Sequence, residues 1–411
     1  MAIVTPFKAL RPVVELAGKV ASRPYDVLNS KEAKTEAAGN DVSFLHITKS
    51  EIDLQDTIDT HSQQVYDKAS QNLAEFIKKG ILFREATPCY YIYRLVMNGR
   101  SQTGLVCGSS VTDYEKGIIK KHEFTRPEKE LDRINHIKTT GAQTGNVFLA
   151  YRNVPELDSL IETWKISHIP VYDFIAEDGI SHTVWIVNDE TTIGTITTLF
   201  STKVPHTYIA DGHHRAASAA KVKKALGKKV PPAAGYFLTT LFPADQLHIL
   251  DYNRVVKDLH GDDAETLISY LHDDFDITTM GTEAYKPERL HDFGMYLNKK
   301  WYKLTARKDG YSDDPIGILD VTILSQNVLA KLLGIKDQRT DKRIDFVGGI
   351  RGLEELEKRV DSGEMAVAFS LHPVSIEQLF AIADSGEVMP PKSTWFEPKL
   401  RDGLLTHLIY E

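Results

Sequence analysis

The run Tyr208-Ile209-Ala210-Asp211-Gly212-His213-His214-Arg215-Ala216-Ala217-Ser218-Ala219-Ala220 decides how the chain reads. A β-like segment passes through one glycine into an alanine-rich helix that Gly227 closes. Such a turn aims free backbone N–H groups and the positive end of the helix dipole at one point, which suits phosphate. Gly212 would let an anion approach the backbone, and Arg215 in the first turn would add a bidentate guanidinium. Asp211, His213 and His214 would then position a metal-bound phosphate or move a proton. A capped helix with solvated side chains explains the same residues without a ligand. Cations are disfavoured at that end of the dipole, however, so a bound anion is expected to offset them.

Outward from this turn, short apolar runs alternate with helical periodicity, which predicts a mixed α/β fold. Extended segments are expected over 41–48, 89–96, 102–111, 147–151, 183–187, 236–242, 248–256 and 365–369. Helices are expected over 62–79, from Pro127 onward, and over 265–272, 323–333 and 352–360. Asn98-Gly99 between two apolar runs is a strong hairpin signal. At about 150 residues per domain, 411 residues make two or three domains. The expected divisions are an N-terminal α/β region over 1–110, a central region over 111–257 that carries the phosphate-type turn, and a C-terminal α/β region over 258–411 that packs back on the site.

Composition excludes several classes. Hydrophobic residues at 42% and charged residues at 26% match an average folded protein, against wholesale disorder or a membrane bundle. The 49 basic and 57 acidic residues leave a charge of −8, which disfavours polyanions, so no DNA partner is expected. Cys89 and Cys107 are too few for a disulfide framework or a zinc site. The N-terminal residues lack a secretory pattern, and no stretch of about 18 apolar residues occurs, so the expected location is cytoplasmic and off the membrane. No pattern sets an oligomeric state.

Two further clusters carry polar chemistry. In Lys120-Lys121-His122-Glu123-Phe124-Thr125, His122 and Glu123 would serve as base and orienter toward a hydroxyl, or Glu123 would ligate a metal. The zincin spacing fails, because residue 126 is Arg, and a hydrated charged loop is the structural alternative. In Pro390-Pro391-Lys392-Ser393-Thr394, the prolines stiffen a loop that presents Lys392, Ser393 and Thr394 to phosphate, or Lys392 to Asp26, as a closing element. Asp26 and His182 adjoin strands, where site residues often sit, although a buried structural hydrogen bond also explains His182.

YIADGHHRAASAA resembles the phosphate-binding strand–turn–helix of the ParB/sulfiredoxin-like superfamily. The wider chain resembles domain of unknown function family 1015, through SRPYDVLNSKEA at 22–33, KKHEFT and DRI within 120–134, ADGHHR at 210–215 and MPPKSTWFEPKL at 389–400. The resemblance implies a ParB/sulfiredoxin-like mixed-sheet core with α/β regions at both ends. It implies nucleotide phosphate binding at Gly212, His213, His214 and Arg215, with ATP or ADP, or CTP, as nucleotide. The superfamily includes free-serine kinases. The expected function is therefore phosphate transfer to a small hydroxyl metabolite, L-serine first, with Glu123, His122 and Asp211 as catalytic groups. Asp26, Arg133 and His182 are assigned to substrate, and Asp211 and Glu123 to Mg²⁺. A nucleotide-responsive binding protein and a nucleotide or phosphoester hydrolase use the same cradle and remain alternatives. Sulfiredoxin chemistry is not expected, since His213 stands where its cysteine would.

Overall fold

The computed structural model describes residues 1–410, which divide into two compact units. The first comprises Met1–Leu247 and Pro398–Glu411, and the second His248–Glu397.

Nine strands form the main sheet of the first unit: β1 (Val4–Thr5), β2 (Tyr90–Met97), β3 (Arg100–Ser110), β4 (Ile119–Lys120), β5 (Val147–Tyr151), β6 (Tyr172–Ile175), β7 (Ser181–Val187), β8 (Thr207–Asp211) and β9 (Tyr236–Pro243). Their order is β4-β8-β5-β9-β3-β2-β7-β6, with β1 pairing with β3. The β4–β8 and β5–β9 pairs are parallel and the remainder antiparallel, so the sheet is mixed. Asn98 and Gly99 take positive φ of 53° and 78°, the mirror-image turn that matches strand twist, and join β2 to β3. Every residue of β5 is buried, as its continuous apolar sequence VFLAY requires. The expected division near residue 110 falls within this sheet, because β3 pairs with β9 over Leu105–Ser110.

Five longer helices belong to this unit: α1 (Gln63–Lys78), α2 (Pro127–Thr140), α3 (Pro155–Ser167), α4 (Glu190–Lys203) and α5 (His213–Leu226). Proline opens α2 and α3 at the position where a missing N–H costs nothing. Helix α5 is buried all round over Arg215–Ala220, where alanines allow close packing, with Ala216 and Ala219 joining the core of β5 and β9. Residues 41–48, expected as a strand, instead make a turn and the short helix Leu45–Thr48. Tertiary packing overrides the local preference there: Phe44 donates its N–H to Val20 and packs with Leu73 and Phe76.

Residues 398–410 return to this unit. Ser22 and Asp402 exchange backbone hydrogen bonds, as do Leu10 and Thr406, and His407–Leu408 pairs with Ala142–Gln143.

The second unit is built on a fully antiparallel six-stranded sheet from β10 (Tyr252–Val256), β11 (Phe275–Gly281), β12 (Asp292–Leu297), β13 (Lys300–Ala306), β14 (Ile344–Gly348) and β15 (Val367–Leu371). Its order is β11-β13-β12-β15-β10-β14. Trp301, Tyr296 and Leu356 lie in its core.

Candidate functional site

The β8–α5 turn is shaped by a register shift between Ile209 and Asp211, which places Asp211 opposite Phe148 and re-aims its side chain. Gly212 follows with φ of 97°, a conformation open to glycine, and serves as N-cap without any side-chain cap. Arg215 then folds back across the glycine. A Cβ on Gly212 would stand 3.0 Å from Arg215 Nε, and one on Gly145 would stand 3.2 Å from Arg215 Cδ. Two glycines thus make the channel in which this buried guanidinium lies.

Arg215 is paired inward. Its NH1 donates to the Asn146 carbonyl, and NH2 lies 3.6 Å from Asp26 and 3.5 Å from Asp211. Burial alone would weaken its charge, but Asp26 and Asp211 keep it firmly protonated. Lys399 reaches Asp211 at 3.2 Å from the returning C-terminal segment. Against burial, Lys399 and Arg215 hold Asp211 well below the usual carboxylate range. This corrects the expected open cradle: the space over Gly212 is filled by Arg215, which is engaged by carboxylates and not turned outward.

The two histidines also differ from expectation. His213 Nε2 accepts the His122 N–H at 3.5 Å, and His214 Nε2 accepts the Arg126 N–H at 2.9 Å. Accepting at Nε2 makes both rings neutral, and burial pushes both below the ordinary histidine range. No anion is needed to offset them, because they bring no charge to the helix N-terminus. The His122 and His213 rings meet edge to face at 4.6 Å, and Glu123 lies 3.8 Å from His213 Nδ1. His122 is buried, pushed down to about 4 by desolvation, and its Nδ1 has no partner. The KKHEFT loop and the ADGHHR turn therefore pack directly together.

Beside this turn opens a cavity of about 230 Å³ whose walls include Asp26, Lys49, Glu51, Arg133 and His214. Arg133 is buried on α2, 2.6 Å from Asp132 and 3.9 Å over the Tyr25 ring. Lys49 pairs with Glu51 at 2.9 Å, so both signs of charge line the cavity in fixed positions. His214 belongs to both the first turn of α5 and the cavity wall.

His182, assigned to substrate, is fully buried between Tyr93 and Phe174. Tyr93 OH lies 2.8 Å from its Nδ1, Arg401 donates to its Nε2 at 3.3 Å, and desolvation pushes it down to about 3. Both nitrogens are engaged, so the ring has a structural role. Asp26, expected beside Lys392, has Arg215 as an ion-pair partner.

Lys392, Ser393 and Thr394 lie in the second unit. Lys392 is exposed, with φ of 59° and its ammonium 5.6 Å over the Tyr252 ring, while Ser393 donates to Pro390. Buried Arg254 donates to the carbonyls of Pro391 and Lys392, which fixes the loop as its prolines suggest.

The assigned metal ligands do not fit a resident Mg²⁺. Asp211 Oδ2 already faces Lys399 and Arg215, and no group of three His, Cys, Asp or Glu suited to a metal occurs among the described residues. Among those residues, too, no helix is long and apolar enough to cross a membrane.

Sequence reasoning overlooked Asp402. Its carboxyl is buried beside Arg215, with the Tyr25 backbone amide directed at it. Desolvation pushes this carboxyl up to about 8. Nothing in the local sequence Leu400-Arg401-Asp402-Gly403 separates it from a solvated turn.

The family described as "Protein of unknown function (DUF1015)" matches residues 4–322. The chain belongs to this family. Solved structures similar to this family member include a free serine kinase in complex with AMP, 13% identical, covering 74% of this chain and 91% of that one with a TM-score of 0.36. A conserved hypothetical protein from Pyrococcus furiosus is 14% identical over 74% of this chain and 94% of its own, with a TM-score of 0.36. C-terminally truncated SbnI from Staphylococcus aureus is 15% identical over 74% and 87%, with a TM-score of 0.39. No curated protein matches the chain.

Proposed function

We propose that the chain is a nucleotide-dependent phosphotransferase acting on a small hydroxyl-bearing metabolite, with free L-serine the first acceptor to test. The observation that carries this reading is His214, shared between the strand–turn–helix and a charged cavity of about 230 Å³. In this reading a phosphate at the turn, once Arg215 moves off Gly212, and a small polar acceptor in the cavity would be neighbours. The orphaned Arg215 Nε supports a polar occupant, since buried groups of this kind are normally satisfied.

In this reading the nucleotide supplies the phosphoryl group and the protein supplies position and charge. Arg133 and Lys49 hold the anionic end of an acceptor in the cavity, and Asp26 or Glu51 its cationic end. The hydroxyl proton passes to a carboxylate. Asp211 is too weak a base for this, which leaves Asp26 in the cavity wall and Glu123 at the α5 turn. Asp26→Asn and Glu123→Gln separate them: the variant that loses turnover while keeping nucleotide affinity identifies the base.

A nucleotide-responsive regulator is the second reading, favoured by the closure of Arg215 over Gly212, which a ligand would have to open. Phosphorus NMR of the purified protein with ATP or ADP, with and without L-serine and other hydroxyl metabolites, tests all three activities. A new phosphomonoester supports the transferase, orthophosphate alone makes it a hydrolase, and binding without turnover makes it a regulator.

A further inference from the structure

Asp132 and Arg133 are consecutive residues of α2, and consecutive helical side chains normally point apart. Here they meet. Arg133 Nε donates to Asp132 Oδ2 at 2.8 Å and NH2 lies 2.6 Å from the same oxygen, so the side-on edge of the guanidinium is taken. Tyr66, buried on α1, donates its hydroxyl to the other oxygen, Asp132 Oδ1, at 2.9 Å. Arg133 Cζ stands 3.9 Å over the centre of the Tyr25 ring. One edge and one face of the guanidinium are therefore fixed, which leaves the end-on edge, NH1 with the second NH2 hydrogen, for a ligand. Tyr25, Tyr66, Asp132 and Arg133 all line the cavity of about 230 Å³. A guanidinium immobilised in such a wall is a fork for a planar oxyanion.

Charge decides which oxyanion fits. The wall carries Asp26, Glu51 and Asp132 against Lys49, Lys129 and Arg133, so its formal charges balance before a ligand enters. A carboxylate adds one negative charge beside those three acids, whereas a phosphate adds nearly two. Glu51 takes both Ser30 and Lys49 on Oε1, at 2.8 Å and 2.9 Å, and so keeps Oε2 for a hydroxyl or ammonium of the same ligand. We infer that Arg133 is the recognition group for a carboxylate in this cavity, and that Tyr66 and Asp132 are positioning residues that hold it in place. Applied to the acceptor, this rests on the phosphotransfer reading and narrows its substrate class to hydroxy acids, against alcohols that lack a carboxylate.

Saturation-transfer NMR titrations of the intact chain with L-serine, glycerate and ethanolamine test this, since glycerate lacks the ammonium and ethanolamine the carboxylate. L-Serine and glycerate are expected to bind, and ethanolamine at least about tenfold more weakly. Tyr66→Phe, checked for folding by thermal unfolding, is expected to weaken both carboxylates about fivefold to tenfold while ADP affinity by calorimetry stays within about twofold. Arg133→Lys keeps the charge but not the fork and is expected to lose more. A merely structural Tyr66 would shift carboxylate and ADP affinity together, or neither, and either result overturns the positioning role. Ethanolamine binding as tightly as glycerate, or unchanged carboxylate affinity in Arg133→Lys, overturns the anchor. Inorganic phosphate that displaces glycerate at lower concentration than L-serine does gives Arg133 to the nucleotide and overturns it as well. ADP binding without any carboxylate binding overturns this inference alone. Carboxylate binding with no affinity for ADP supports the anchor and overturns the phosphotransfer reading instead.

Discussion

Replacing Arg215 by alanine would strand the carboxylates of Asp26 and Asp211 beside a buried void. Losing one member of a buried charge cluster costs about 3–5 kcal/mol, so Arg215→Ala should lower the urea unfolding free energy by that order before any effect on ligand is read. Gly212→Ala adds a Cβ at positive φ and 3.0 Å from the Arg215 Nε, and should cost about 1–3 kcal/mol by the same measurement. Asp402 has the opposite sign. Its carboxyl keeps a proton in the folded protein that the unfolded chain has already released above pH 4, so its contribution to stability falls as pH rises from about 4 to 8. Asp402→Asn should therefore raise stability, by about 1–3 kcal/mol at pH 8 and least near pH 4. A destabilised variant would make the carboxyl a structural pin.

At the scale of elements, the contact between the 120–126 loop and α5 depends on neutral imidazoles. His122 and His213 are both pushed down by burial, so each binds fewer protons folded than unfolded below the ordinary histidine range. Their contribution is complete above about pH 6.5 and is lost as pH falls toward 4, at up to about 1.4 kcal/mol per pH unit for each ring. Denaturant unfolding at pH 7.5 and 5 should show this decline, and His122→Gln should lessen it. Elements whose signals are local were legible in the sequence: Asn98-Gly99 marks its hairpin, Pro127 opens α2, and Gly212 and Gly227 bracket α5. Leu45–Thr48 was not, because four helical residues are too few to show a 3.6-residue period against a β-prone run. The turn at 211–215 was legible as a place, yet its charge states were not. Whether a histidine accepts from a backbone N–H, or an arginine turns inward, is decided by residues about 70 to 90 or more positions away.

For the whole molecule, the segment Pro398–Glu411 supplies Lys399 to Asp211, Arg401 to His182 and Asp402 to the Arg215 cluster. No periodicity announces such long-range partners, and Asp402 escaped notice for that reason. Ending the chain after Glu397 would remove the strand pairing at Ala142–Gln143 together with these contacts. Thermal unfolding of that variant should show the first unit's cooperative transition weakened or absent, with the antiparallel sheet of the second unit retained.

The same return has a consequence for biosynthesis. Residues 248–397 leave the ribosome as a continuous piece, whereas the first unit, though synthesised earlier, waits for residues 398–410 before its pairing at Ala142–Gln143 and its charge cluster are complete. Domains usually fold in the order in which they emerge, at about 5–20 residues per second, and here that order is inverted. Nascent chains arrested just before residue 398 should stay protease-sensitive across residues 1–247 while resisting cleavage within 248–397. Emergence of the segment from residue 398 onward then becomes the step that completes the Arg215 cluster.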